Sequence, residues 1–234
     1  MSNASPMAIV DIFVAPSNVF NQVKDNKKWA WLGLLLIIAI SALSSVLFFG
    51  SMSPEWIVEQ QLAQSGDLSA QEAEQAKGAM MQMAQYTGVL GAVFGGIFII
   101  IMTCLFAAYN MLIGKSAGVI KPDFKYADWF SFTLWTSMPA IVNTIGFMVL
   151  FLTASTSDLP LSMANYASVN QLFFNYLPSD SLYTWAESLN LFSLWSIFLT
   201  TVGFQRCCNM SLANSTAAAV LPYFVIFASW FALA

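Results

Sequence analysis

The residues in this chain best placed to do chemistry are a few neutral polar side chains inside apolar sequence. Asn143 is the sharpest of them. It stands in the stretch Trp129–Thr153, which contains no Asp, Glu, Lys or Arg between its ends, with Thr136, Ser137, Pro139 and Thr144 close by in sequence. Pro139 removes a backbone donor and frees the carbonyl of Trp135, and Pro222 does the same for Ala218. Helices interrupted in this way around Asn and Thr can line a lipid or solute path. They can equally form a polar clamp between packed helices, which the lack of an accompanying charge favours. Asn110, Lys115 and Arg206 fall at the ends of apolar stretches, where they would hold a lipid phosphate or act as simple interfacial anchors. The candidate lipid or substrate contacts are therefore Asn110, Lys115, Trp135, Pro139, Asn143, Arg206 and Pro222.

What is missing narrows the chemistry. The 234 residues include no His, so imidazole bases and His-ligated metals are ruled out. No paired acids, activated Ser or metal cluster is apparent, and the expectation is a protein that is not an enzyme and needs no cofactor. A proton-coupled pump is disfavoured, because such pumps carry an ionisable group within the membrane. With only eight basic residues and no dense patch of them, nucleic acid is not an expected partner. Cys104 and the pair Cys207–Cys208 suggest no disulfide framework; the pair reads as two small apolar residues at a helix end more readily than as an acylation or redox site.

The elements that must position these residues are five apolar stretches, about 29–50, 86–114, 129–153, 189–204 and 216–234. Each is close to the ~20 residues a helix needs to cross a ~30 Å hydrocarbon core. With 58% hydrophobic and 9% charged residues, the chain is far from the ~25% charge of soluble domains. Seven basic residues (Lys24, Lys27, Lys28, Lys115, Lys121, Lys125 and Arg206) fall on alternate connections that share one side, and only Lys77 falls on the other. Basic residues in short loops stay cytoplasmic, so the N-terminus is expected inside and the C-terminus outside. The expected fold is all-α: a cytoplasmic amphipathic segment over 1–28, then a five-span membrane domain over 29–234.

Finer features follow from capping and periodicity. Val10, Phe13 and Val14, then Val19, Phe20 and Val23 after Pro16, form apolar stripes ahead of Lys24–Lys28 and predict an interfacial helix on the inner leaflet, with a partner-binding helix as the rival reading. Ser53-Pro54-Glu55 predicts a helix over Pro54–Gln64, and the capping box Ser69–Glu72 starts a second that runs unbroken from Ala70 to Ile113, so that the two project as an extracytoplasmic hairpin. Thr184 and Glu187 offer another capping box ahead of the fourth span. Aromatic residues between 154 and 186 read as an interfacial belt. Gly88, Gly91, Gly95 and Gly96 form a small-residue face suited to close packing against another helix of the same chain.

This arrangement resembles the Yip family of five-span membrane proteins, and most of all its bacterial branch. The resemblance is carried by Ile12-Phe13-Val14-Ala15-Pro16-Ser17-Asn18-Val19-Phe20, by Gly114-Lys115, Phe124-Lys125-Tyr126, Trp129-Phe130-Ser131, Trp135 and Pro139, and by Asn190-Leu191-Phe192-Ser193-Leu194-Trp195 with Gly203 and Pro222. It implies the five-span topology with the N-terminus inside and a bacterial inner (cytoplasmic) membrane location. Eukaryotic members contact Rab GTPases, but this chain lacks their long N-terminal domain, and Rab binding is not carried over. The expected function is a non-enzymatic protein that organises the membrane or recruits partners. Its expected partners are membrane lipids and an unidentified membrane protein or second copy. The alternative is a lipid or small-solute transporter or scramblase with a path between spans two, three and five.

Overall fold

The computed structural model describes residues 6–65, 69–117 and 124–233, so the positions of Lys121 and Asp123 lie outside the described residues. Among the described residues the regular structure is helical, apart from one isolated bridge between Ser168 and Asn190. The helices are α1 (Ala8–Val14), α2 (Pro16–Asn21), α3 (Lys27–Ser51), α4 (Pro54–Gln64), α5 (Ala70–Ala84), α6 (Thr87–Ala117), α7 (Tyr126–Thr136), α8 (Pro139–Leu152), α9 (Tyr183–Ser188), α10 (Leu191–Cys208) and α11 (Leu212–Leu233). A 3-10 turn at Leu161–Asn165 and a π turn at Asn170–Phe174 lie between α8 and α9.

Among the described residues, four segments are long and apolar enough to cross a membrane: α3, α6, the α7–α8 pair over Tyr126–Leu152, and α11. Their large apolar side chains are widely exposed, among them Leu35, Val93, Phe94, Phe98, Leu105, Phe224 and Val225. Such faces are stable in hydrocarbon and not in water. The remaining apolar stretch forms α10. Its 18 residues include Ser193, Ser196, Thr200, Thr201, Gln205 and Arg206, and it falls short of the other four in hydropathy.

The chain divides into two compact units. The first comprises Met1–Ala39, Ile97–Val142 and Phe192–Ala228. Its core is aromatic: Phe20, Trp129, Phe132 and Phe204 are all but inaccessible, and Phe132 meets Phe20 and Phe204 with ring centroids 5.3 Å apart in each case. Two glycines make room for it, since a Cβ on Gly114 would fall 2.1 Å from Trp129 and one on Gly203 2.4 Å from Phe132. α1 and α2 belong to this core. Ile12, Val19, Phe20 and Val23 are fully buried, and Phe13 sets its edge against Trp195 at 5.6 Å. Within the segment expected as an interfacial helix, the stripe Val19–Phe20–Val23 faces protein, while Met7, Val10 and Val14 are exposed. Asp128 fixes the start of α7. One carboxylate oxygen accepts the Lys125 N–H at 2.7 Å, as an acid at the third helical position does, and the other meets Lys27 Nζ at 2.6 Å. Cys207 and Cys208 are buried in the same core.

The second unit comprises Ile40–Gly96, Asn143–Leu191 and Ser229–Ala234. Its core gathers Phe48, Met52, Ile57, Phe147 and Leu159. α4 covers Pro54–Gln64 as the Ser53 cap predicts. Ser53 Oγ accepts from Trp56 N–H, while Ser53 gives its own N–H and hydroxyl to Asp158 at 2.8 and 3.0 Å. The Ser69–Glu72 capping box is formed at the start of α5. The expected unbroken helix from Ala70 to Ile113 is not observed: α5 ends at Ala84, a turn occupies Gln85–Tyr86, and α6 begins at Thr87. Just past this turn α6 closes on α3. Ser45 Oγ donates to the Gly88 carbonyl at 2.9 Å, and Cβ atoms on Gly88 and Gly91 would lie 3.0 and 2.6 Å from Ser45 atoms, whereas Gly95 faces open space. The Thr184–Glu187 capping box is also absent. Thr184 lies inside α9, and the Glu187 carboxylate instead accepts from Asn170 Nδ2 at 3.0 Å and from Gln171 Nε2.

Candidate functional site

The first unit contains a cavity of about 400 Å³ lined by α3, α6, α7, α8, α10 and α11. Its walls follow from local sequence. At the α7–α8 junction Pro139 has no N–H, so the chain turns through Ser137 and Met138, and the Thr133 carbonyl takes Ser137 N–H at 3.1 Å, Ser137 Oγ at 2.9 Å and Thr136 Oγ1 at 3.0 Å. The turn leaves Thr136, Ser137 and Ala140 on the cavity wall.

Pro222 acts in the same way on α11. It leaves the Ala218 carbonyl without its helical donor, and the Tyr109 hydroxyl supplies one at 2.6 Å. Tyr109 and Pro222 both line the cavity. Next to Tyr109 in sequence, Asn110 is 3% exposed and donates Nδ2–H to Thr133 Oγ1 at 3.0 Å, and Thr133 in turn donates to the Trp129 carbonyl at 2.9 Å.

α10 presents Ser193, Ser196 and Thr200 to the cavity, a spacing that keeps them on one helical face. Thr200 Oγ1 donates back to the Ser196 carbonyl at 2.8 Å. Among the described residues, the hydroxyls of Ser193, Ser196 and Tyr223 and the Oδ1 atom of Asn110 make no hydrogen bond within the protein. The cavity lining holds no Asp, Glu, Lys or Arg among the described residues. Its hydroxyls and the Asn110 amide offer hydrogen bonds to a ligand, beside apolar contact.

Of the residues singled out from sequence, the cavity brings together Asn110 and Pro222, and Pro139 shapes its wall. Trp135 is fully buried in the aromatic core, with its Nε1–H unpartnered. Lys115 is exposed near the end of α6, and Arg206 is exposed with its Nε donating to Ser17 Oγ at 3.1 Å; neither lines the cavity. Asn143 belongs to the second unit. Its backbone carbonyl accepts from Tyr166 at 3.3 Å, and its side-chain Oδ1 is buried without a partner. Sequence reasoning missed Tyr109, Ser193, Ser196, Thr200 and Tyr223. The signal for the α10 set was present as hydroxyls three and four residues apart in an apolar helix.

Comparison with known proteins adds one finding. The family model described as the Yip1 domain matches residues 10–233, nearly the whole chain. No curated protein and no solved structure matches.

Proposed function

The chain belongs to the Yip1-domain family of membrane proteins, and from that premise we propose that it is a non-enzymatic organiser of a bacterial inner membrane that works by holding membrane lipid in the first unit's cavity. The observation that carries this reading is a set of unpaired neutral polar groups, Ser193, Ser196, Tyr223 and Asn110 Oδ1, in a cavity without a charge among its described lining residues. A neutral hydrogen-bonding cavity suits the retention of a ligand drawn from the bilayer. It lacks the ionisable group that coupled pumping of a charged solute uses.

In this reading the protein has five spans, with α10 as the fourth, the N-terminus inside and the C-terminus outside. Support comes from the seven-to-one division of basic residues between alternate connections. The shortness and polarity of α10 are compatible with a span whose polar face is turned to a cavity and not to lipid. Transport is the second reading, since a path through the same groups would use the same hydrogen bonds.

Two experiments test the proposal. Cysteines introduced at positions 77 and 27 should label from opposite sides of sealed vesicles, 77 from outside; labelling of both from one side overturns the topology. Reconstituted protein should give no lipid or solute flux above that of empty liposomes. Flux that falls on substitution of Ser193 and Ser196 would replace the organiser reading with transport.

A further inference from the structure

We propose that the ligand of this cavity is an uncharged glycerolipid with a free hydroxyl, of which diacylglycerol is the simplest form; the inference rests on the lipid-holding reading above and assigns the chemical class. Three observations lead to it.

The first is charge. No Lys or Arg lines the cavity among the described residues, and the two cations that sequence suggested for a phosphate, Lys115 and Arg206, are exposed elsewhere. A phosphate-bearing headgroup would have to give up its hydration with no cation to replace it, which is far costlier than burying a neutral hydroxyl or ester.

The second is the balance of donors and acceptors. Ser193, Ser196 and Tyr223 each have a hydroxyl proton to give, which suits ester carbonyls. Asn110 gives one Nδ2–H to Thr133, and its Oδ1 is left at the cavity as an acceptor that only a ligand with a donor can pair. A diester of glycerol carries both: two ester carbonyls and one hydroxyl. A triester has no donor for Asn110, and a hydrocarbon has neither.

The third is access. Phe98 lines the cavity and is also 61% exposed on the apolar face of α6. The apolar rim therefore reaches a surface that faces hydrocarbon, where Ile97, Ile100, Ile101 and Leu105 are exposed on the same helix. A ligand entering there comes from the bilayer with its acyl chains trailing past Phe98 and Met102. The cavity of about 400 Å³ falls in the usual range for small-molecule sites. It accepts a glycerol backbone with its ester groups and leaves the chains outside.

The test uses the full chain in nanodiscs, a photoreactive diacylglycerol as probe, and three competitors with matched chains: diacylglycerol, phosphatidic acid and triacylglycerol. Labelled peptides should map to α6, α10 and α11. Diacylglycerol should displace the probe at concentrations about tenfold or more below those needed for either other lipid. The double variant Ser193→Ala, Ser196→Ala should lose most of the labelling with an unchanged melting temperature, because neither hydroxyl serves a bond within the protein. Asn110→Leu, which also breaks the bond to Thr133, is read only by its order of competitors: triacylglycerol should then compete as well as diacylglycerol. Equal displacement by phosphatidic acid overturns the chemical class and leaves a lipid site in place. Labelling outside these helices, or undiminished labelling of the double variant, overturns the class and the lipid-holding reading together.

Discussion

Tyr109→Phe isolates one bond and shows whether Pro222 shapes the cavity wall as described. The proline deletes the N–H that would reach the Ala218 carbonyl, and the Tyr109 hydroxyl replaces it at 2.6 Å. Removing the hydroxyl keeps the ring and its packing but leaves a carbonyl unpaired inside the protein. Measured side-chain hydrogen bonds in membrane proteins average ~0.6 kcal/mol and reach ~1.7, and an orphaned buried acceptor adds a cost of about 1 kcal/mol or more. The expected loss is therefore about 1–2 kcal/mol. In a Pro222→Ala background the backbone N–H restored at position 222 can bond the same carbonyl, and Tyr109→Phe should then cost no more than ~0.5 kcal/mol. Unfolding in mixed micelles by SDS titration of the four proteins gives the cycle. A coupling of about 1 kcal/mol is expected. Additive costs, within ~0.3 kcal/mol, would refute the claim that the tyrosine stands in for the missing helical donor.

Other outcomes follow from particular contacts. Gly203→Ala should destabilise by about 1–3 kcal/mol, because its Cβ would lie 2.4 Å from Phe132 and 3.1 Å from Phe20, whereas Gly95→Ala in open space should be neutral or slightly stabilising; thermal melts in detergent separate the two. Asp128→Ala removes both the α7 cap and the partner of Lys27, and should cost about 2–3 kcal/mol in the same SDS titration, with Asp128→Asn recovering part of the cap. Asn143→Leu should cost little, under ~0.5 kcal/mol, since the buried Oδ1 has no partner to lose; a large destabilisation would show that the side chain is bonded in the folded protein. Hydrogen bonds from Ser69 hold the exposed Glu72 carboxyl below its ordinary value of 4.5. A lowered folded-state value means that this cap contributes fully above pH 4.5 and is lost as pH falls through the lowered value. An NMR titration should place the Glu72 midpoint below 4.5, and Ser69→Ala, which removes the hydroxyl bond and keeps the backbone one, should raise it toward that value.

Much of the fold was legible because local signals agreed with the packing. Ser53 and Ser69 mark helix starts at Pro54 and Ala70, and Pro139 divides the third apolar stretch. What was not legible depended on partners distant in sequence. Nothing at Gln85–Tyr86 breaks a helix by type; the neighbouring Gly88 and Gly91 take up their close approach to Ser45 from another helix. Thr184 and Glu187 have the spacing of a capping box, but Asn170 and Gln171 engage the carboxylate. The N-terminal stripe was correctly apolar, and periodicity could not tell a lipid surface from the Phe132–Phe204 core that receives it. The candidate site was half legible. Asn110 and Pro222 stood out as a polar residue and a helix breaker in apolar sequence. Ser193 and Ser196 were not singled out, because the direction their face looks is set by tertiary packing.

Native mass spectrometry of the gently extracted full chain, beside Ser196→Leu, tests the lipid-holding cavity most directly. The wild-type protein should carry a bound lipid of uncharged glycerolipid mass, and the leucine, which fills the cavity and removes a donor, should release it while the melting temperature holds. A lipid-free wild-type protein, or a lipid retained equally by Ser196→Leu, would contradict the account.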